Sequence, residues 1–301
     1  MKVRKAILPV AGMGTRFLPA TKAIPKELIP VIDKPVLQYV VEEAAAAGIA
    51  EIILITHASK PSVENHFAPD AELESDLRRQ GKNDLLALVE GIRPAGVRFT
   101  SVLQDRALGL GHAVLCAREL IGDEPFAVLL PDVLVDNREL GSDLSTMIQR
   151  FEDSGKSQIM VEEVDAKRVD QYGIVSLEVD GRSTLETKVQ LARSMSADIN
   201  AIVEKPPIGA APSNLAVVGR YIFPASLFEY LASTLPGAGE EIQLTDAIAG
   251  LLQHSLVQAY RMNGETYDCG SKVGYFQATL AFARRHPQFS AEFSALITQY
   301  Q

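Results

Sequence analysis

Tryptophan is absent from these 301 residues and aromatics make up only 6%, so a core must be built from Ile, Val, Leu and Ala. Cysteine occurs twice, as Cys116 and Cys269. Two such thiols make neither a disulfide framework nor a metal-ligand pair, and that usage fits a reducing compartment. The five histidines are scattered without ligand spacing. Excess positive charge is also missing. The 29 Lys and Arg against 38 Asp and Glu leave a net charge of −9, which argues against a nucleic-acid-binding surface. Small phosphate ligands stay possible, because they need only a few local cations and backbone N–H groups. No apolar run approaches the roughly 18–20 residues that span a bilayer. The first ten residues resemble a signal peptide in outline. Their apolar stretch Ala6-Ile7-Leu8-Pro9-Val10 runs straight into glycines and Arg16 with no small-residue cleavage site. A cytoplasmic chain with a buried first strand and no membrane partner is therefore expected.

What is present is an ordinary globular balance, 47% hydrophobic and 22% charged, enough for one large core or two smaller ones. Apolar runs at 5–10, 52–55, 97–103 and 126–130 read as strands, and 35–48 and 110–121 as helices, with Pro35 and Gly48 as start and stop signals. Strands alternating with helices predict an α/β fold, a Rossmann-like, mostly parallel mixed sheet with helices on both faces. The later half is less regular. Strands are expected at 157–164, 173–179, 201–204 and 216–223, with a hairpin turn at Asp180-Gly181. Helices are expected at 226–234, 244–255 and 271–284. The polar stretch 70–90 and the proline-bearing 206–214 read as surface excursions. No linker divides the chain, so one domain over 1–301 is expected. Its parts would be a nucleotide-binding half (1–135), a sugar-binding half (136–270) and a C-terminal helical segment (271–301).

Candidate chemistry begins directly after the first strand. Gly12-Met13-Gly14-Thr15-Arg16 lets backbone N–H groups approach a phosphate closely. It equally suits an ordinary tight turn. It is not a Walker loop, and Phe17 stands where the dinucleotide fingerprint needs its third glycine, which disfavours a nicotinamide dehydrogenase. Arg16, Lys22 and Lys26 lie in a loop stiffened by Pro19, Pro25 and Pro30. At the carboxyl end of a first strand, that is a reasonable triphosphate seat, although Lys22 and Lys26 alone are more often solvated surface charges. Gln104 at a strand end could read a base edge or be a solvated loop residue. Asp132 closes a buried strand and also suits a turn. Asp268 precedes the last large helix and also suits a cap. Glu204-Lys205 could be a surface ion pair. Cys116 reads as core rather than nucleophile.

Several long motifs then coincide in order. Lys5 to Arg16 (KAILPVAGMGTR) with Pro25-Lys26-Glu27-Leu28-Ile29-Pro30 resembles the signature of the sugar-nucleotidyltransferase family. Leu108-Gly109-Leu110-Gly111-His112-Ala113-Val114, Leu130-Pro131-Asp132, Val203-Glu204-Lys205-Pro206 and Ser213 to Tyr221 are similar to its bacterial uridylyl branch. The match runs from residue 5 to about 285.

The resemblance implies the nucleotide-diphospho-sugar transferase fold and the reaction of UTP with glucose 1-phosphate to UDP-glucose and pyrophosphate. It implies that Gln104 and Gly109 hold uracil beside Ala11, Gly12, Gly14 and Thr15. It assigns Mg²⁺ to Asp132 and Asp268, sugar hydroxyls to Glu204, the attacking phosphate to Lys205 and a sugar-side contact to Gly173. Arg16 and Lys26 would hold the β- and γ-phosphates. Relatives of this kind form homodimers or homotetramers. A thymidylyl- or adenylyltransferase, or a non-catalytic sugar-nucleotide sensor on the same fold, are the alternatives. Arg16, Lys26, Asp132, Lys205 and Asp268 occurring together weigh against the sensor.

Overall fold

A computed structural model describes residues 1–137, 139–177, 191, 195–237 and 240–300. In chain order its strands begin with β1 (Lys5–Pro9), β2 (Pro30–Val31), β3 (Lys34–Pro35), β4 (Glu51–Thr56) and β5 (Arg98–Leu103). Then come β6 (Phe126–Leu129), β7 (Val133–Asp136), β8 (Ser157–Glu163), β9 (Gly173–Ser176) and β10 (Ser196–Asp198). The last four are β11 (Ala201–Glu204), β12 (Leu215–Phe223), β13 (Val257–Arg261) and β14 (Glu265–Asp268). Ten of them form one sheet, whose main path runs β10-β13-β8-β12-β6-β1-β4-β5, with β9 and β11 paired to its side. The β6-β1-β4-β5 half is wholly parallel. β12 is antiparallel to β6 and β8, which makes the sheet mixed, as expected.

The period of two along each central strand explains the layers. Ala6, Leu8, Ile52, Leu54, Ala127 and Leu129 enter one apolar cluster. Their neighbours Ile7, Ile53, Ile55, Phe126 and Val128 enter a second. Both faces of each strand must therefore be covered. Helix Val36–Ala46 brings Val36, Leu37, Val40, Val41 and Ala44 to the first cluster, and helix Ser142–Ser154 brings Leu144, Met147, Ile148 and Phe151. Helices Leu227–Ser233 and Leu244–Leu251 cover the second. No helix among the described residues is long and apolar enough to cross a membrane.

Some boundaries differ from expectation. The helix expected over 110–121 is two, Leu110–Leu115 and Arg118–Ile121, separated at Cys116-Ala117. The polar excursion 70–90 is helical, Ala71–Arg79 and Asn83–Glu90. Asp70 caps the first by accepting from Leu73 N at 3.0 Å. Each of these helices buries a single residue, Leu77 or Leu86, so composition conceals them. The helix expected over 244–255 stops at Leu251. The turn at Asp180-Gly181 lies outside the described residues.

Candidate active site

The chain leaves β1 at its carboxyl end and passes through Ala11, Gly12, Gly14, Thr15 and Arg16. Gly14 adopts φ +65°, and a Cβ there would lie 3.0 Å from Lys26 Cβ and 3.2 Å from Thr21 Cγ2. Glycine is therefore required for the left-handed backbone and for the Lys26 stem that crosses it. The Thr21 hydroxyl donates to Gly14 O at 2.7 Å and closes the loop.

Beneath this loop is a pair the sequence did not reveal. Glu27 has no exposed surface and Lys60 is 7% exposed. Lys60 Nζ donates to Glu27 Oε2 at 3.0 Å, to Val10 O at 2.8 Å and to Gly12 O. Two loop carbonyls are thus tied inward. Burial pushes the Glu27 carboxyl up and the Lys60 ammonium down, each opposed by the charge of the other.

Lys26, adjacent to Glu27, is not a solvated charge. Its Nζ lies 2.5 Å from Asp132 Oδ2. Burial would lower its pKa, but the carboxylates of Asp132 and Glu27 outweigh that and raise it. Burial acts oppositely on Asp132, and the Lys26 ammonium holds that carboxyl below the ordinary range. Asp132 follows β6, and Asp268 closes β14. The antiparallel pair β7-β14 sets Val133 opposite Asp268 and so brings the two carboxylates together. A Cβ on Gly270 would lie 2.8 Å from Asp132 Oδ2 and 2.9 Å from Asp268 Oδ1. Burial, and then the charge of Asp132, raise the Asp268 carboxyl. Asp268 is not the cap of the last large helix. That position belongs to Ser271, whose hydroxyl accepts from Gly274 N at 3.1 Å. Asp268 Oδ1 instead accepts from Gly270 N at 2.9 Å. Arg16 reaches the same turn, donating to Gly270 O at 3.3 Å.

Two crowded carboxylates fit a divalent cation that takes most of its ligands from phosphate or water. Among the described residues no cluster of three or more His, Cys, Asp or Glu is arranged for a metal.

Asp132, Asp268 and Arg16 line a cleft of about 890 Å³ together with Gly173, Glu204 and Lys205. Glu204 Oε2 accepts from the Thr245 hydroxyl at 2.6 Å, and Lys205 Nζ lies 3.4 Å from Glu204 Oε1. A Cβ on Gly173 would come within 3.3 Å of Glu204 Oε2. Lys205 holds φ +43°, a region costing a non-glycine residue on the order of 1–3 kcal/mol and concentrated at functional sites.

Gln104 follows β5 and is buried rather than a solvated loop residue, with 6% exposure. Its Nε2 donates to Gly109 O at 3.2 Å and faces His112 Nδ1 at 3.0 Å. Gly109 and Gly111 pack against another segment. A Cβ on either would fall within 3 Å of Ile242 O, and Gly111 N donates to that oxygen at 2.8 Å. Thr245, Lys60 and Glu27 were missed as site residues. Glu27 lay inside a quoted motif, but nothing local in the sequence marks Lys60 as its partner.

A mixed sheet with a glycine-rich turn after its first strand, and carboxylates just beyond β6 and at the end of β14, is the arrangement of a nucleotide-binding α/β fold. The sequence model of the Nucleotidyl transferase family matches residues 5–285, and the chain belongs to that family. It is 51% identical over 301 residues to the UTP–glucose-1-phosphate uridylyltransferase of Escherichia coli (strain K12), covering 99% of this chain and 96% of that protein. Its structure is similar to a UTP-bound UGPase from Acinetobacter baumannii, with TM-score 0.89, 50% identity and coverage of 99% and 100%. A UDP-glucose pyrophosphorylase complexed with UDP-glucose matches at TM-score 0.82 and 38% identity, covering 94% of this chain and 100% of that one.

Proposed function

We propose that this chain transfers the uridylyl group of UTP to glucose 1-phosphate, releasing pyrophosphate and forming UDP-glucose. The observation carrying this reading is the single cleft that collects Arg16, Asp132, Asp268, Glu204 and Lys205. Half-identical uridylyltransferase relatives over nearly the full chain support it.

A sugar-phosphate oxygen forms a bond to the α-phosphorus of UTP while the bond to pyrophosphate breaks on the opposite side. The attacking phosphate is already an anion at neutral pH, so the chain needs no general base. Positioning two polyanions and neutralising their charge is the whole task. Arg16 and Lys26 hold the β- and γ-phosphates and receive the charge of the leaving pyrophosphate. Lys205 holds the attacking phosphate, and Glu204 accepts hydrogen bonds from sugar hydroxyls beside Gly173. Gln104 and Gly109 contact uracil, and Ala11, Gly12, Gly14 and Thr15 border the nucleotide. Asp132 and Asp268 are the residues to hold Mg²⁺, which when bound neutralises phosphate charge. The free thiols of Cys116 and Cys269 support a cytoplasmic setting. Phe276 and Leu280, exposed one turn apart on the same helix, support a homodimer or homotetramer.

Pyrophosphate release over a grid of triphosphates and sugar phosphates tests the assignment. UTP with glucose 1-phosphate should exceed ATP, CTP and GTP by several decades in kcat/KM. dTTP should follow nearest, because uracil and thymine share one hydrogen-bonding edge. Higher efficiency with ATP would overturn the uridylyl reading. No release with any pair would favour the sensor.

A further inference from the structure

We propose that Arg220 is a positioning residue for the carboxylates Asp132 and Asp268, acting through the backbone of residues 130–133. The inference rests on the metal-holding role given to that pair above. Arg220 lies in β12 with no exposed surface. Its Nε donates to Glu43 Oε1 at 2.9 Å and its Nη2 to Glu43 Oε2 at 2.7 Å. That bidentate pair, anchored on helix Val36–Ala46, neutralises the buried guanidinium.

The remaining donors go elsewhere. Nη1 donates to Leu130 O at 3.1 Å and Nη2 to Val133 O at 2.8 Å. Those two carbonyls bracket Pro131-Asp132, where proline removes one backbone donor. Arg220 therefore holds both sides of the turn that presents Asp132. Val133 is also the residue opposite Asp268 in the β7-β14 pair, so the same contact fixes where the second carboxylate starts.

The chain makes room for this arrangement. The register of β12 against β8 shifts between Val217 and Tyr221. Within that irregularity Gly219 takes φ +80°, and a Cβ on it would lie 2.8 Å from Leu130 Cγ. Gly219 O accepts from Leu130 N at 2.9 Å. The bulge thus docks β12 onto the end of β6 where Arg220 must reach, a local device that re-aims a side chain.

The test is Mn²⁺ titration of the full chain with UTP present, the bound ion read by electron paramagnetic resonance. kcat, the KM of glucose 1-phosphate and Tm are measured on the same protein. Arg220→Lys keeps a cation facing Glu43 but lacks the fork that reaches both carbonyls. Loss of a residue that orients metal ligands should raise the Mn²⁺ midpoint about tenfold to a hundredfold. kcat should fall while the KM of glucose 1-phosphate holds. A lowered Tm with an unchanged Mn²⁺ midpoint would overturn the proposal. If Arg220→Lys does not fold, Arg220→Met with Glu43→Leu removes both charges together and avoids an uncompensated buried ion. In that variant a raised midpoint supports the role and an unchanged one overturns it. A parent chain that takes up no Mn²⁺ with UTP would overturn the metal reading itself, a result distinct from equal uptake by parent and variant.

Discussion

Lys26 Nζ sits 2.5 Å from Asp132 Oδ2, so the cation assigned to the triphosphate and the carboxylate assigned to the metal are each other's partner. A divalent ion held by that oxygen would take over the role of the ammonium and free Lys26 for phosphate. The two proposed functions would then be coupled through one contact.

Lys26→Met should separate them. Turnover should fall by roughly two to three decades, the cost of removing one preorganised donor to developing charge. Asp132 and Asp268 would then crowd Gly270 without their cation. The Tm increase given by MgCl₂ without nucleotide should therefore be at least that of the parent. Thermal melts with and without MgCl₂ check this, and a smaller increase would contradict the coupling.

Glu204→Gln keeps the shape facing Gly173 and the contact with Thr245 but weakens hydrogen bonds to sugar hydroxyls. A charged hydrogen bond contributes about 1.5–3 kcal/mol. The KM of glucose 1-phosphate should rise by the corresponding factor of about ten to over a hundred, with that of UTP little changed. Steady-state kinetics in both substrates decide it. Equal effects on the two would return Glu204 to a surface-pair role.

Lys60→Met should strand Glu27 as an unpaired buried carboxylate and release the carbonyls of Val10 and Gly12. Breaking a buried pair from one side costs about 3–5 kcal/mol, measurable by denaturant unfolding. Adding Glu27→Leu should restore most of that stability without restoring the KM for UTP, because the loop carbonyls stay untied. Recovery of both would make the pair purely structural.

The central sheet was legible because its signal is local. Alternate residues of β1, β4 and β6 feed opposite apolar layers, and a buried strand needs little else to be recognised. The glycine loop and both aspartates were legible through motif order. Lys60 and Arg220 were not, because their meaning lies in partners far along the chain: Glu27 for one, Glu43 and two carbonyls for the other. Strand β14, which carries Asp268, is only partly buried and shows no clear alternation. Helix Ser142–Ser154 went unassigned although its apolar positions Leu144, Met147, Ile148 and Phe151 follow the helical period, a pattern the sequence did carry.

Asp132→Asn tests the account most directly. The change nearly preserves size and removes the charge that faces Lys26 and would face a metal ion. With UTP, glucose 1-phosphate and Mg²⁺, pyrophosphate release should drop by roughly two to three decades, about 3–4 kcal/mol in the barrier. Tm without ligand should fall, because Lys26 loses its partner, and the extra stabilisation given by Mg²⁺ with UTP should disappear. An Asp132→Asn protein that keeps near-full, magnesium-dependent turnover would contradict the account and place the metal elsewhere.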